Sequence, residues 1–341
     1  MHHQTEKFSF LRTDALDKGA FSELIEKTLS GKKQKGFFGS PLNGKTVGLL
    51  FFNSSLRTRT SMIVAVKDLG GNPLVLDVGS GTWSLETEDG VVMDGASPEH
   101  IKEAIPVLSR YVDVLGVRCF AGLTDYERDR DDALIQKINE LSSVPVINLE
   151  SAMHHPCQSL ADVVTISERL GSIKGKKIVL SWAPHPKPLP MAVANSFAIA
   201  CSQLGANLCI ANPDGFDLDA TILEKCERLA LKSGGKMLVT HNQREALEGA
   251  RIIYAKSWGS KDFYGDWDRE KALREASSSW IISQKKMLMT DEAFFMHCLP
   301  VRRNVVVSDE VLDSSRSLVL EQAENRLHAQ KAILSMLWGK T

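Results

Sequence analysis

The chain has 341 residues, 43% of them hydrophobic and 24% charged, and a formal net charge of -1; this is an ordinary globular composition, long enough for about two domains. The near-neutral charge excludes bulk attraction to nucleic acid or to an anionic membrane surface. No apolar run is long enough to span a bilayer, the start MHHQTEKFSF has no signal-peptide pattern, and the six cysteines (119, 157, 201, 209, 226 and 298) include no CxxC pair, so a cytoplasmic protein with reduced thiols is expected.

Short β-rich runs alternate with helical stretches. Strands are predicted over 46–53, 72–78, 112–119 and 144–150. Their near-continuous apolar character suits a parallel sheet covered on both faces. Between them, helices are predicted over 57–69 and 99–111; in the second, Ile101, Ile105 and Leu108 share a face, while Pro106 argues against one unbroken helix. A second series of strands follows at 176–183, 207–213, 237–241, 251–258 and 294–300. This rhythm predicts an α/β protein of two open parallel-sheet domains with a cleft between them. The expected division is 1–154 and 155–320, with 155–171 bridging the two and a last helix at about 321–341 packing back on the first domain. The charge-dense runs YERDRDDA and DREKALREA read as solvated helix faces.

Ligands of α/β sheets bind outside the carboxyl ends of the strands, and the polar clusters of this chain fall there. After the first strand comes Ser55-Leu56-Arg57-Thr58, opening a helix whose N-terminal N–H groups and dipole favour an anion. Arg118 ends the third strand, His155-Pro156-Cys157-Gln158 follows the fourth, and His297-Cys298-Leu299-Pro300 with Arg302-Arg303-Asn304 ends the last. Planar guanidinium forks suit phosphate oxygens. Each cluster alone is an ordinary surface feature; their common location points to one interdomain anion site.

Other chemistries fit less well. His154, His155, Cys157, His297 and Cys298 are metal-ligand types without ligand spacing, and neighbouring arginines would repel a cation, so neither metal nor cofactor is expected. A nucleophilic Cys157 or Cys298 competes with the plainer reading of a buried, inert thiol. The stretch VGSGTW (78–83) is not a GxGxxG between strand and helix.

Taken together, SSLRTRTS, HPCQSLAD and HCLPVRR, in that order, resemble the signatures of the carbamoyltransferase (transcarbamylase) family. The resemblance implies transfer of a carbamoyl group from carbamoyl phosphate to an amine, chemistry that asks for positioning and stabilisation of negative charge rather than a covalent intermediate. It implies that Ser55, Arg57, Thr58 and Arg118 hold the phosphate, with Leu56 among the substrate-binding residues, and that Arg118, Thr58 and His155 polarise the carbonyl. Gln158 and the backbone carbonyls of Cys298 and Leu299 would receive the carbamoyl N–H groups, and Arg326 in AENRLH would face the same substrate. It also implies a homotrimer with sites at subunit interfaces, Trp83 reaching into a neighbour's site.

On the amine side, ornithine enzymes of the family carry an Asp before an S-M-G sequence, where this chain reads YAKSWGSKDFYG with Lys256. A lysine repels an α-ammonium, so an N-acylated ornithine is expected. The strings VVMDG, WAPHPKPLP and AENRLH resemble the acylornithine branch, and Glu150, Asn195 and Lys256 match its substrate-side positions. Pro98 in MDGASPEH stands where the acetylornithine enzymes tend to carry Glu and the succinylornithine enzymes Pro. A Glu there would repel a succinyl carboxylate. The plainer reading is that Ser97-Pro98 caps and starts a helix. Val306 occupies a position where acetylornithine enzymes can carry a modifiable lysine. Arg302, Lys187 and Lys256 are unranked candidates for a distal carboxylate. An acetylornithine enzyme and a non-catalytic binding relative are the competing readings.

Overall fold

Two parallel sheets organise the computed structural model, which describes residues 7–338. The first contains β1 (Thr46–Phe51), β2 (Asn72–Asp77), β5 (Val114–Arg118) and β6 (Val146–Glu150), in the order β2-β1-β5-β6. A short separate pair joins β3 (Leu85–Glu86) to β4 (Glu99–His100). The second sheet contains β7 (Lys177–Trp182), β8 (Asn207–Ala211), β9 (Lys236–Thr240), β10 (Ile252–Lys256) and β11 (Phe294–Met296), in the order β11-β10-β7-β8-β9. All of these pairings are parallel. The protein therefore has the expected two-domain α/β architecture.

The strands form where the apolar runs predict them, because covering a sheet on both faces demands such runs. Val47, Leu49, Leu50 and Phe51 of β1 are all buried. The last strand is shorter than predicted: it stops at Met296, the His297 imidazole accepts the Leu299 N–H, and Leu299 takes a φ of +56° that no strand allows.

The helix over Ile101–Tyr111 runs unbroken through Pro106. The carbonyl that Pro106 leaves without a partner, that of Lys102, belongs to an exposed residue, and Ile101, Ala104 and Ile105 are buried on the other face. The helix also starts later than expected. His100, not Ser97, is its N-cap, its ring nitrogen accepting the Lys102 N–H at 3.0 Å. Ser97 and Pro98 belong to the preceding loop. A helix over Lys18–Lys33, not foreseen, carries its own signals: Asp17 caps it, and Phe21, Leu24, Ile25 and Thr28 form its buried stripe.

The final helix, Val319–Trp338, returns to the first domain as expected; the last residues of its predicted span lie outside the described ones. It packs against the helices Lys18–Lys33, Arg57–Asp68 and Pro156–Leu170. Ala329, Ile333 and Leu334 are fully buried in that contact. Ile333→Ala should lower unfolding free energy by about 2–5 kcal/mol, the usual result of deleting a buried branched side chain; chemical denaturation checks this, and a loss below about 1 kcal/mol would contradict tight docking of this helix.

Candidate active site

The order of each sheet contains a reversal. In the first, the chain runs outward from β1 to β2 and then crosses to β5 and β6; in the second, from β7 to β8 and β9 and then back to β10 and β11. Crevices open at the carboxyl ends of strands at such points. Register completes the placement: Phe51 pairs with Arg118, Arg118 with Glu150 across a local shift, and Lys256 with Trp182.

A cleft of about 630 Å³ lies there, walled by both domains. Ser55, Leu56, Arg57, Thr58, Arg118, Glu150, His155, Gln158, Lys256, Cys298, Leu299 and Arg326 all line it. Residues separated by up to 271 positions, Ser55 to Arg326, thus share one wall system.

Thr58 is its hub. The Ser55 hydroxyl accepts the Thr58 N–H at 3.2 Å, fixing the helix entry. The Thr58 hydroxyl accepts from Arg326 Nη2 at 2.6 Å and lies 3.5 Å from Arg118 Nη1. Arg118 Nη1 also meets Glu150 Oε2 at 2.5 Å, and its guanidinium lies over Phe120, 4.2 Å from the ring centre. His155 Nε2 is 3.3 Å from the same Glu150 oxygen. Arg326 Nη1 donates to Gln158 Oε1 at 3.0 Å. Arg59, the other arginine of the loop, is engaged by Asp77 and lies over Phe51.

Burial sets the charge states. It lowers the pKa of Arg57 and Arg326, which remain charged, and lowers that of Lys256. His155 is held well below the usual imidazole range, first by burial and then by Arg326 and Arg118, so its ring is neutral. His297 is pushed down to about 3 by burial, with Lys256 and Arg57 adding to it. The thiol candidates are inert by the same physics: burial pushes Cys157 up to about 12 and raises Cys298.

Five expected residues lie outside the lining, among them Lys187, which is exposed beside His185 on the loop after β7. Asn195 is fully buried on the Ala192–Gln203 helix, its amide donating to the Met153 carbonyl at 3.3 Å. Arg302 stands at the rim, where its Nε donates to His185 Nε2 at 3.1 Å; His185 itself lines the cleft. Trp83 and Pro98 sit together on an outer loop. Trp83 is 60% exposed and donates to Glu99 at 2.7 Å, and Ser84 bonds to the Ala96 carbonyl and the Ser97 hydroxyl. Lining residues not foreseen are Phe120, His185, Leu189, Pro190, Val193 and Ser257. The loop after β7 that supplies three of them was visible as WAPHPKPLP, without any sign of where it folds.

Both halves of the chain match known proteins. The carbamoyl-P binding domain of the aspartate/ornithine carbamoyltransferases matches residues 9–168, and their Asp/Orn binding domain matches residues 190–337. The chain belongs to the aspartate/ornithine carbamoyltransferase family and is a carbamoyltransferase. It falls with the acylornithine branch. The N-acetylornithine carbamoyltransferase of Xanthomonas campestris pv. campestris is 41% identical over 97% of this chain and 98% of its own. The N-succinylornithine carbamoyltransferase of Bacteroides fragilis is 39% identical over 94% and 96%. A crystal structure of an N-acetyl-L-ornithine transcarbamylase mutant, Glu replaced by Pro, complexed with carbamyl phosphate and N-succinyl-L-norvaline, matches with a TM-score of 0.94 at 40% identity, covering 97% of this chain and 99% of that one.

Because the His155 pKa is depressed, the ring stays neutral as pH falls through the range where an exposed histidine gains a proton. NMR of ring-¹⁵N-labelled protein should show no His155 titration between about pH 8 and pH 5; a midpoint near 6.5 would refute the buried, neutral assignment.

Proposed function

We propose that this protein transfers the carbamoyl group of carbamoyl phosphate to the δ-amine of N-succinyl-L-ornithine, giving N-succinyl-L-citrulline and phosphate, a step of arginine biosynthesis. The observation that carries the reading is the convergence of Arg57, Arg118 and Arg326 around Thr58 in one cleft, with Lys256 also in its wall.

The residues divide the work. Ser55, Arg57, Thr58 and Arg118 grip the phosphate, with N–H groups at the start of the Arg57–Asp68 helix helping. A neutral δ-amine attacks the carbonyl carbon and charge grows on its oxygen. Arg118, the Thr58 hydroxyl and neutral His155 face that oxygen, and pre-set donors of this kind lower the barrier without reorganising. Gln158 and the carbonyls of Cys298 and Leu299 hold the carbamoyl nitrogen. The C–O bond then breaks and phosphate leaves into the arginine cluster, taking up the proton that the δ-nitrogen sheds. In this scheme residues 1–154 with the last helix carry carbamoyl phosphate, and residues 155–320 most of the acylornithine side.

Two features favour succinyl over acetyl. Pro98 is no helix cap in this fold, which removes the plainer reason for its presence. Val306 is buried in the cleft wall, where a charged or carboxylated lysine would face a succinyl carboxylate. Arg302 is the best-placed cation for that carboxylate: His185 occupies its Nε and leaves the rest of the fork at the rim. Trp83 and Pro98 do not line the cleft of their own chain, so their roles require a neighbouring subunit, as in a trimer with shared sites. Relatives of both acyl specificities are similar to this chain, and acetylornithine is the second reading.

With carbamoyl phosphate and a panel of ornithine, acetylornithine and succinylornithine, phosphate release should be fastest with succinylornithine. Equal or faster turnover of acetylornithine would overturn the Pro98 argument, and binding without turnover of any of them would make the protein a non-catalytic relative. Arg57→Ala should lower carbamoyl transfer by at least about 10²–10³-fold, the scale of losing one charge-stabilising donor, with an unchanged circular dichroism spectrum; retained activity would remove this loop from phosphate binding.

A further inference from the structure

We propose that Asp162 and Gln322 form a buried clamp that sets the orientation of the groups receiving the carbamoyl nitrogen, acting as positioning residues for carbamoyl phosphate. The proposal rests on the reading of the cleft given above. Neither residue lines the cleft, and both are fully buried.

Asp162 lies one turn beyond Gln158 on the Pro156–Leu170 helix. Its Oδ1 accepts from Gln158 Nε2 at 2.7 Å and from Gln322 Nε2 at 2.7 Å. Each amide is then read at its other end by a donor. Gln158 Oε1 accepts from Arg326 Nη1 at 3.0 Å, and Gln322 Oε1 accepts from the His297 N–H at 3.0 Å. An amide caught between a carboxylate oxygen and an N–H donor has one consistent orientation, since flipping it sets donor against donor and acceptor against acceptor. The single oxygen of Asp162 therefore fixes both.

The two amides control the two sides of one subsite. Gln158 must turn its carbonyl, not its nitrogen, toward the cleft to accept a carbamoyl N–H. Gln322 pins the backbone at His297, immediately before Cys298 and Leu299, whose carbonyls complete the receptor. These elements come from different parts of the fold: the helix after β6, the final helix, and the end of β11. Helix packing brings them together; the clamp then fixes how their polar groups are turned. Partly satisfied buried networks are costly, so loss of one member is expected to loosen the others.

Gln322→Met removes the amide at similar volume. By calorimetry it should weaken carbamoyl phosphate about tenfold, the scale of one or two net hydrogen bonds. Inorganic phosphate lacks the carbamoyl amide and should bind the variant within about twofold of the parent protein. Asp162→Asn keeps an acceptor oxygen and should bind carbamoyl phosphate within about threefold, whereas Asp162→Leu, which strands both amides, should lose at least about tenfold. Equal affinity of Gln322→Met and the parent protein for carbamoyl phosphate would overturn the clamp. So would a parallel loss of both ligands with a lowered melting temperature, which marks a merely structural role. If the parent protein bound no carbamoyl phosphate, the reading of the cleft itself would fall instead.

Discussion

The structure depends on holding several positive charges together in a place where water is scarce. Among the described residues that line the cleft, Arg57, Arg59, Arg118, Arg326 and Lys256 share it with one carboxylate, Glu150, which pairs with Arg118. Burial depresses the pKa of Arg57, Arg326 and Lys256, a direct sign that their charged forms are disfavoured relative to water. Such an arrangement persists only because the surrounding scaffold leaves the side chains no other position. Thr58 and Gln158 hold Arg326, Glu150 and the Phe120 ring hold Arg118, and packed helices lie behind them. The stability of the two sheets is what keeps these like charges close, and a multiply charged anion is the ligand that relieves their repulsion.

Much of this was legible in the sequence, for a physical reason. Parallel strands covered on both faces must be nearly continuous apolar runs, so their positions can be read directly. Their carboxyl ends are where polar side chains escape the sheet, so Arg118 and the clusters at 55–58, 155–158 and 297–304 can be assigned to a common side from the sequence, whereas Glu150 and Lys256 are reached only through the family resemblance. The failures came where tertiary context overrides a local rule. Pro106 sits inside a helix because the buried face outweighs one missing hydrogen bond. Ser97-Pro98 makes a good cap on paper, yet pairing of Glu99–His100 with β3 moves the start of the helix.

Side-chain direction was the least legible feature. The match of Asn195 to a substrate-side position of the family says nothing of its side chain, whose amide donates to the Met153 carbonyl in the core. Asp162 and Gln322 are separated by 160 positions and meet through helix packing, a contact that no spacing rule reports. Phe120 lies just after Arg118 and supports its guanidinium face, but an aromatic two residues beyond a strand-end arginine has no distinctive pattern. Motifs show which backbone segments approach a site; packing decides which atoms reach it.

Arg326 gives the cleft a peculiar relation to time. It is carried by the final helix of the described chain, yet it bonds to Thr58, near the start of the first domain. During synthesis the first sheet and the loop at 53–58 can be complete while this guanidinium is still unmade. A nascent chain on the ribosome therefore lacks the Arg326–Thr58 bond until the helix Val319–Trp338 has emerged and folded back. Termination upstream of residue 319 removes this guanidinium together with the buried helix that carries it.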